Sequence, residues 1–479
     1  MSAFDRRSFL IGSGAALTAA ALAGCGSDST AGSAAAGGQL RWWDHFSALQ
    51  KLNKDWAAKQ STAIGKTVTY TYTDASKLPE ALQLAKQGNQ LPDVFTNVLN
   101  LPLAALVEGG WLGELQISDQ ERAALPKGTL TEGLTMLDGK VYSLPLFAWQ
   151  QYAAAMWFNA DLYKAAGLDP AAPPKTYDEY RQTLEKLKSA KGGVAPMILA
   201  LGGTARMREQ IDDLAQAAGF PGYQGMRFRD GQYAYDDDTY VNAIEFWKEL
   251  NSSGLILAGS GSLTVANARS RWGAGAAVFF PDGPWCAGGV RNVAPGFEKK
   301  IDVGPLLVPQ AGTTPVTYRG APTAQFFVSK TTSDAAAASK LVGSFTTDEY
   351  RKGLAAGMDQ PPIDLSVVKT ADVIEPYRKL VGWFSTTVRR GPEAVVRNPQ
   401  VAKAQAAAKP ISPDLGNIIQ GYLGGDVTDL RAALKQLSAS FTADRERAIG
   451  VATKAGAKVS LSDYAFPDWK PGVNYTYKA

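Results

Sequence analysis

The sequence predicts an α/β protein of two lobes, each built on a parallel sheet with helices on both faces. Three observations predict it. Short runs rich in β-branched and aromatic residues alternate with stretches of helical periodicity, the pattern of βαβ units. About 440 residues remain beyond an N-terminal leader in the 479-residue chain, more than one compact core holds. A long extended segment, 141–159, separates a first α/β pattern from a second.

Taken in order, the leader comes first. Arg6 and Arg7 precede the apolar run 9–23, which ends in Leu22-Ala23-Gly24-Cys25. Its roughly 15 apolar residues fall short of the about 20 that a membrane span needs, so residues 1–24 are expected to be an export signal. Leu22-Ala23-Gly24-Cys25 resembles a lipobox, whose cysteine carries diacylglycerol, and Asp5-Arg6-Arg7-Ser8-Phe9-Leu10 resembles a twin-arginine signal. The resemblance makes Cys25 the lipidation site and places the chain at the outer face of the cytoplasmic membrane. Residues 25–38 are small and polar, a flexible tether of roughly 20 Å.

The folded part is expected to start near Gln39. Residues 40–46 (LRWWDHF) read as a buried strand, 47–59 as a helix, and 68–73 (VTYTYT) as a second strand. Leu78, Ala81, Leu82 and Ala85 form the stripe of an amphipathic helix with Pro79 in its first turn, and Pro92-Asp93-Val94-Phe95 opens a third strand. After the extended segment, Thr176-Tyr177-Asp178-Glu179 is a capping box ahead of Tyr180, Leu184 and Leu187. Strands are then expected at 194–201, 276–280 and 301–308, with a helix at 239–250. Beyond Phe326-Phe327-Val328 the chain turns mostly helical, and Thr428 is expected to cap a last helix.

Composition excludes several chemistries. Removing residues 1–24 takes away Arg6, Arg7 and Asp5 and lowers the formal charge from +4 to +3, scattered along the chain, so no nucleic-acid partner is expected. Of two cysteines one is the lipid site, which leaves Cys286 without an internal disulfide partner. His45 is the sole histidine, so no zinc or other metal site of the usual kind is expected, and no catalytic elbow, Walker loop or dinucleotide turn occurs. What abounds is aromatic: 11 Trp, 18 Tyr and 18 Phe.

Several strings, in order, resemble the carbohydrate-binding extracellular solute-binding proteins of ABC importers, the group that includes maltose-binding protein. They are Trp43-Asp44-His45-Phe46, Leu91-Pro92-Asp93-Val94, Asp138-Gly139-Lys140-Val141-Tyr142, Phe158-Asn159-Ala160-Asp161-Leu162, Pro174-Lys175-Thr176-Tyr177-Asp178-Glu179, Gly283-Pro284-Trp285 and Gly424-Gly425-Asp426-Val427-Thr428. Ala324-Gln325-Phe326 departs from the family's glycine-rich return strand, and the 145–159 crossing is longer and more aromatic. The resemblance implies a two-lobe periplasmic-binding-protein fold of type II (a Venus flytrap) with a helix-rich C-terminal part. It divides the chain into a first lobe of 39–148 and 313–356 and a second of 149–312 and 357–479. It implies a monomer without cofactor or catalytic residues, which binds a sugar or oligosaccharide between the lobes and hands it to a membrane permease.

Sugars present apolar C–H faces and a rim of hydroxyls, so their sites need flat aromatic platforms beside planar donors and acceptors. Trp285 heads the candidates, with a core tryptophan sealing the turn as the alternative. Asp44 and His45 leave the first strand toward the expected cleft, where helix capping and a structural histidine are the competing roles. Asn97 follows the third strand; Trp149, Gln151 and Tyr152 lie on the crossing; Arg206 follows a Gly-Gly turn, either reaching ligand or simply solvated. Two other functions compete: the same fold with a polyamine, peptide or metal ligand, and a lipid-anchored glycoside hydrolase or lyase using paired carboxylates.

Overall fold

The computed structural model describes residues 38–477 except 97, 98, 100 and 191. Cys25, the leader and Asn97 lie outside the described residues. Strand β1 (Gln39–Asp44) alternates as its sequence does, burying Leu40, Trp42 and Asp44. A turn of 3-10 helix, Ser47–Leu49, leads into α1 (Gln50–Ile64), which ends on Gly65 in the left-handed region at φ 75°. β2 (Thr67–Tyr72), α2 (Leu78–Gln87, with Pro79 in its first turn), β3 (Val94–Thr96), α3 (Leu103–Glu108) and β4 (Ser143–Leu144) follow.

The second pattern comprises β5 (Ala155–Asn159), α4 (Tyr177–Ser189), β6 (Ala195–Met197), α5 (Thr204–Ala217), α6 (Asp238–Ser252), α7 (Val265–Gly273), β7 (Ala277–Asp282), α8 (Cys286–Val293) and β8 (Ile301–Gly304). Every residue of β5 and β7 is buried, as in strands covered on both faces. The capping box at the start of α4 forms as expected: Glu179 N–H donates to the Thr176 hydroxyl, and the Thr176 N–H to the Glu179 carboxylate. β9 (Phe326–Val328) returns to the first sheet. Among the later helices are α9 (Val401–Ala407) and α10 (Leu430–Lys454). The α10 cap is Asp429, whose carboxylate accepts from Ala432 N–H, one residue beyond the expected Thr428. Among the described residues no helix is long and apolar enough to cross a membrane.

The sheets are mixed, not wholly parallel. The first has the order β2-β1-β3-β9-β4 and the second β8-β5-β7-β6. β1 runs parallel to β2 and β3, with Gln39 opposite Thr67 and Trp42 opposite Val94. β9 runs against β3 and β4, and β5 against β7 and β8. The reason is connectivity: β5 and β9 are entered directly from a waist crossing, so each starts at the sheet end where its neighbours stop. β6 is shorter than expected because beyond Ile198, whose N–H still donates to Phe279 O at 3.0 Å, the backbone trades strand partners for Ser260, which accepts from the N–H groups of Leu199 and Leu201. β8 stops at Gly304 because Pro305 has no N–H to continue the ladder.

The 141–159 segment is extended but only its ends are strands. Its middle crosses the waist, where Ala148 N–H donates to Pro361 O at 2.8 Å and Ile363 N–H to Leu146 O at 2.8 Å. The Gln325 side-chain Oε1 accepts from the N–H groups of Leu146 and Phe147 at 3.0 and 3.1 Å, which ties the outgoing crossing to the returning one. A glycine at position 325 would lack this clamp.

Candidate functional site

The carboxyl ends of the parallel strands in both sheets converge on one cleft of about 910 Å³. Open α/β sheets place ligands there, because the loops leaving parallel strands are free to vary while the strands hold them. Of the residues singled out from sequence, His45, Trp149, Gln151, Tyr152, Arg206 and Trp285 line this cleft. Asp44 does not.

Asp44 sits beneath the cleft wall, fully buried. Its carboxylate accepts from Tyr70 O–H at 2.8 Å, Asn53 Nδ2 at 2.6 Å and Phe46 N–H at 3.2 Å, and Asn53 in turn accepts from Tyr350 O–H at 2.8 Å. Even side-chain alternation along β1 dictates this: Asp44 shares the face of Leu40 and Trp42, so it points into the helix-covered core. Burial pushes its pKa up to about 7 against the lowering effect of the hydrogen bonds. Its contribution to the site is to hold the β1 exit in place.

His45, on the opposite side, is half-buried. Its Nδ1 lies 2.8 Å from Thr96 Oγ1, and its ring rests on Phe46 at 4.3 Å between centroids. Desolvation lowers its pKa to about 4, so the ring is neutral at pH 7. On the crossing, Gln151 Nε2 donates to Gln360 at 2.7 Å. Tyr152 is 2% exposed and packs edge-on against Phe384, so it forms wall more than contact surface. Trp149 carries the Arg390 guanidinium 5.4 Å from its ring centre.

The Gly283-Pro284-Trp285 turn follows β7, whose last residue, Asp282, organises the second lobe's side of the cleft. Asp282 is fully buried. Its Oδ1 accepts from Trp285 Nε1 at 2.7 Å and Gly283 N–H at 2.9 Å, and its Oδ2 from Arg269 at 2.7 Å. The Arg206 guanidinium lies over the Trp285 indole, 4.1 Å from the ring centre, and is paired with Glu209. Arg206 is therefore packed on an aromatic face, not simply solvated.

Sequence reasoning missed much of the charged wall. Arg208, Arg269, Arg319, Asp359, Glu393 and Tyr72 also line the cleft. Tyr72 ends β2 just as Asp44 ends β1, so strand-end logic could have found it. Arg269, Arg319 and Glu393 carry no local signal, since tertiary packing alone brings them in. Each cleft arginine has a carboxylate: Arg206 has Glu209, Arg208 has Asp414, Arg269 has Asp282 and Arg319 has Asp213. Among the described residues no group of three or more His, Cys, Asp and Glu is placed to hold a metal.

Residues 43–352 match the family described as bacterial extracellular solute-binding protein. A curated relative, the sn-glycerol-3-phosphate-binding periplasmic protein UgpB of Rhizobium meliloti, is 25% identical over 168 residues, a stretch that is 33% of this chain and 37% of the relative. Among solved structures, the GacH receptor of Streptomyces glaucescens, studied with acarbose, aligns with a TM-score of 0.64 at 17% identity over 85% of this chain and 98% of its own. A substrate-binding protein of Listeria monocytogenes in complex with cycloalternan gives 0.62 at 17% identity over 86% and 99%. A transporter-associated binding protein of B. animalis subsp. lactis with β-1,6-galactobiose gives 0.61 at 19% identity over 87% and 98%. These likenesses show the two-lobe binding-protein fold.

Proposed function

We propose that this chain, which belongs to the bacterial extracellular solute-binding protein family, is the lipid-anchored binding subunit of an ABC importer for an uncharged sugar or oligosaccharide. One observation carries the ligand class: aromatic rings from both lobes wall a roomy cleft whose arginines are already neutralised by protein carboxylates. Rings supply platforms for C–H faces, while Arg208, Arg319 and the amides of Gln151 and Gln360 supply directional hydrogen bonds without a net charge to satisfy. A cleft of about 910 Å³ is at the upper end of small-molecule sites, which suits more than one sugar ring.

Ligand closes the lobes, taken as 39–148 with 313–356 and 149–312 with 357–479, and the closed monomer docks on permease subunits at the outer face of the cytoplasmic membrane. No turnover is involved. Calorimetric titration with a saccharide panel tests the ligand class, with solution scattering for the expected decrease in radius of gyration. Stability should rise by about 2.7 kcal/mol at one hundred times the dissociation constant. Hydrolysis of any glycoside by the purified protein would refute the non-catalytic reading. The anchor rests on Cys25: Cys25→Ala should move the protein from the detergent phase to the aqueous phase.

A second reading, an anionic solute such as sn-glycerol-3-phosphate, is favoured by the curated relative and by four arginines in the cleft. A phosphate there must break an existing ion pair to gain a new one, which removes most of its advantage. Glycerol phosphate belongs in the panel, and its binding in preference to every saccharide would transfer the site to that class.

A further inference from the structure

A sugar that stacks on Trp285 needs one open face of the indole, and both faces are occupied. Gly283 takes one. A Cβ placed on it would lie 2.2, 2.4 and 2.5 Å from three atoms of the indole, so the glycine backbone rests directly on the ring. A guanidinium centred 4.1 Å from the ring cannot share that side with it, so Arg206 covers the other face, toward the cleft.

This cover is loosely held. Its partner Glu209 has a side chain 46% exposed, its contact with Asp282 is long at 3.4 Å, and its Nε has no hydrogen-bond partner. Arg206 also sits in the first turn of α5, where the positive end of the helix dipole disfavours a cation. Asp282 does not depend on it. With Arg269, Trp285 and Gly283 all bonded to its two oxygens, Asp282 stays paired when Arg206 leaves. Arg269, in contrast, is 7% exposed and held on Asp282 at 2.7 Å, so it stays in place.

We propose that Arg206 is a displaceable cover on Trp285, a specificity-determining residue that the ligand pushes off the indole before it stacks. The proposal rests on the saccharide reading. Its consequence is selectivity: a solute with a flat C–H face replaces the guanidinium stack with one of its own, whereas a small acyclic polyol gains too little from the ring to displace it. Cation–π contact is thus used as a threshold, and the displaced guanidinium swings toward solvent while keeping its exposed partner Glu209.

The test compares the mature wild-type protein with Arg206→Ala and Arg206→Lys. Without ligand, oxidation of Trp285 by N-bromosuccinimide, followed by peptide mass spectrometry, should be several-fold faster in Arg206→Ala, with Arg206→Lys between. Calorimetric titration with raffinose, acarbose and β-1,6-galactobiose should show the saccharide that binds wild type binding Arg206→Ala about 3- to 10-fold tighter, as removal of a competing cation–π contact requires. Unchanged Trp285 oxidation in Arg206→Ala overturns the cover, and weaker or equal saccharide binding overturns its displacement. Faster oxidation with no saccharide bound by either protein retains the cover and overturns the saccharide reading.

Discussion

Asp282→Asn isolates what holds the second lobe's side of the cleft together. The carboxylate is fully buried, and Arg269, 7% exposed, has its guanidinium 2.7 Å away. Asparagine has the same shape but one oxygen. If that oxygen stays with Trp285 Nε1 and Gly283 N–H, the new NH2 faces the Arg269 guanidinium, donor against donor, and leaves a buried cation without its counter-ion. Removing one partner of a buried pair costs about 3–5 kcal/mol. Asp359, which also stabilises the Arg269 cation, holds the loss to the lower end of that range. Urea unfolding of ligand-free protein should therefore show a loss of about 3 kcal/mol. Arg269→Met added to Asp282→Asn should recover most of it, because no charge is then stranded, and the double-mutant cycle reads the coupling. A loss below about 1 kcal/mol for Asp282→Asn, or no recovery in the double variant, would refute the hub.

Three further outcomes are expected. Trp285→Ala should weaken saccharide binding about ten- to a hundredfold by calorimetry, and should cost less stability than the about 3–5 kcal/mol of a fully buried tryptophan, since the ring is only partly buried; unchanged affinity would remove it from the site. Burial raises the carboxyl pKa of Asp44, Asp212 and Glu393 to about 7 and of Asp359 to about 6. A pKa raised on folding stabilises most below the unfolded value and loses that contribution as pH climbs through the folded value. The unfolding free energy from urea titration should thus fall from pH 5 to pH 8, by about 2–3 kcal/mol for each of Asp44, Asp212 and Glu393 and by about 1–1.5 kcal/mol for Asp359, at about 1.4 kcal/mol per unit. His45, lowered to about 4, acts oppositely, its contribution being lost as pH drops from about 6.5 toward 4. A midpoint that rises over pH 5–8 would contradict this. Gly288→Ala places a Cβ 2.1 Å from the Gly357 carbonyl oxygen and 2.7 Å from Ala48 Cβ, where α8 donates Gly288 N–H to Met358 O at 3.0 Å. Overpacking against backbone should cost about 1–3 kcal/mol, and an unaltered melting temperature would show that α8 moves aside freely.

Local rules carried the fold further than the site. Pro79 in the first turn of α2, the Thr176 capping box and the aromatic alternation of β1 and β2 are short-range signals, and each element formed where its residues place it. Strand direction was not legible, because what makes β5 and β9 antiparallel is the sheet end at which a waist crossing delivers them, a property of the whole path. The cleft was legible where it lies at strand exits, as with His45 and Trp285, and along the crossing, as with Trp149, Gln151 and Tyr152. Asp44, one residue from His45, faces the other way by alternation, which the period of two would have predicted had it been applied to the last residue of β1. The stacking of Arg206 was not legible for a different reason: a helix-start arginine is normally solvated, and nothing nearby in sequence reveals Trp285, 79 positions on, beneath it.

The C-terminal helices bear on how such a cleft can move. α10 buries Leu430, Leu434 and Leu437 in the core built around the second sheet, yet near its far end Ala452 joins a separate cluster with Ala402 and Ala404 of α9 and Ala104 of α3. α3 in turn buries Leu103 and Leu106 with Leu78, Leu82 and Phe95 beside the first sheet. One 25-residue helix, about 37 Å long at 1.5 Å per residue, therefore touches material attached to both sheets. Any rotation of the sheets about the waist must slide or part the contact between α3 and α9. That contact is made largely of alanine, whose methyl groups interdigitate little and bury little area, so parting it costs far less than separating leucine-packed helices. Hydrogen bonds fix the waist crossings, and leucines fix each end of the bridge to its own core. The alanine seam is then the place where the described fold yields most cheaply, and lobe motion is expected to be taken up there.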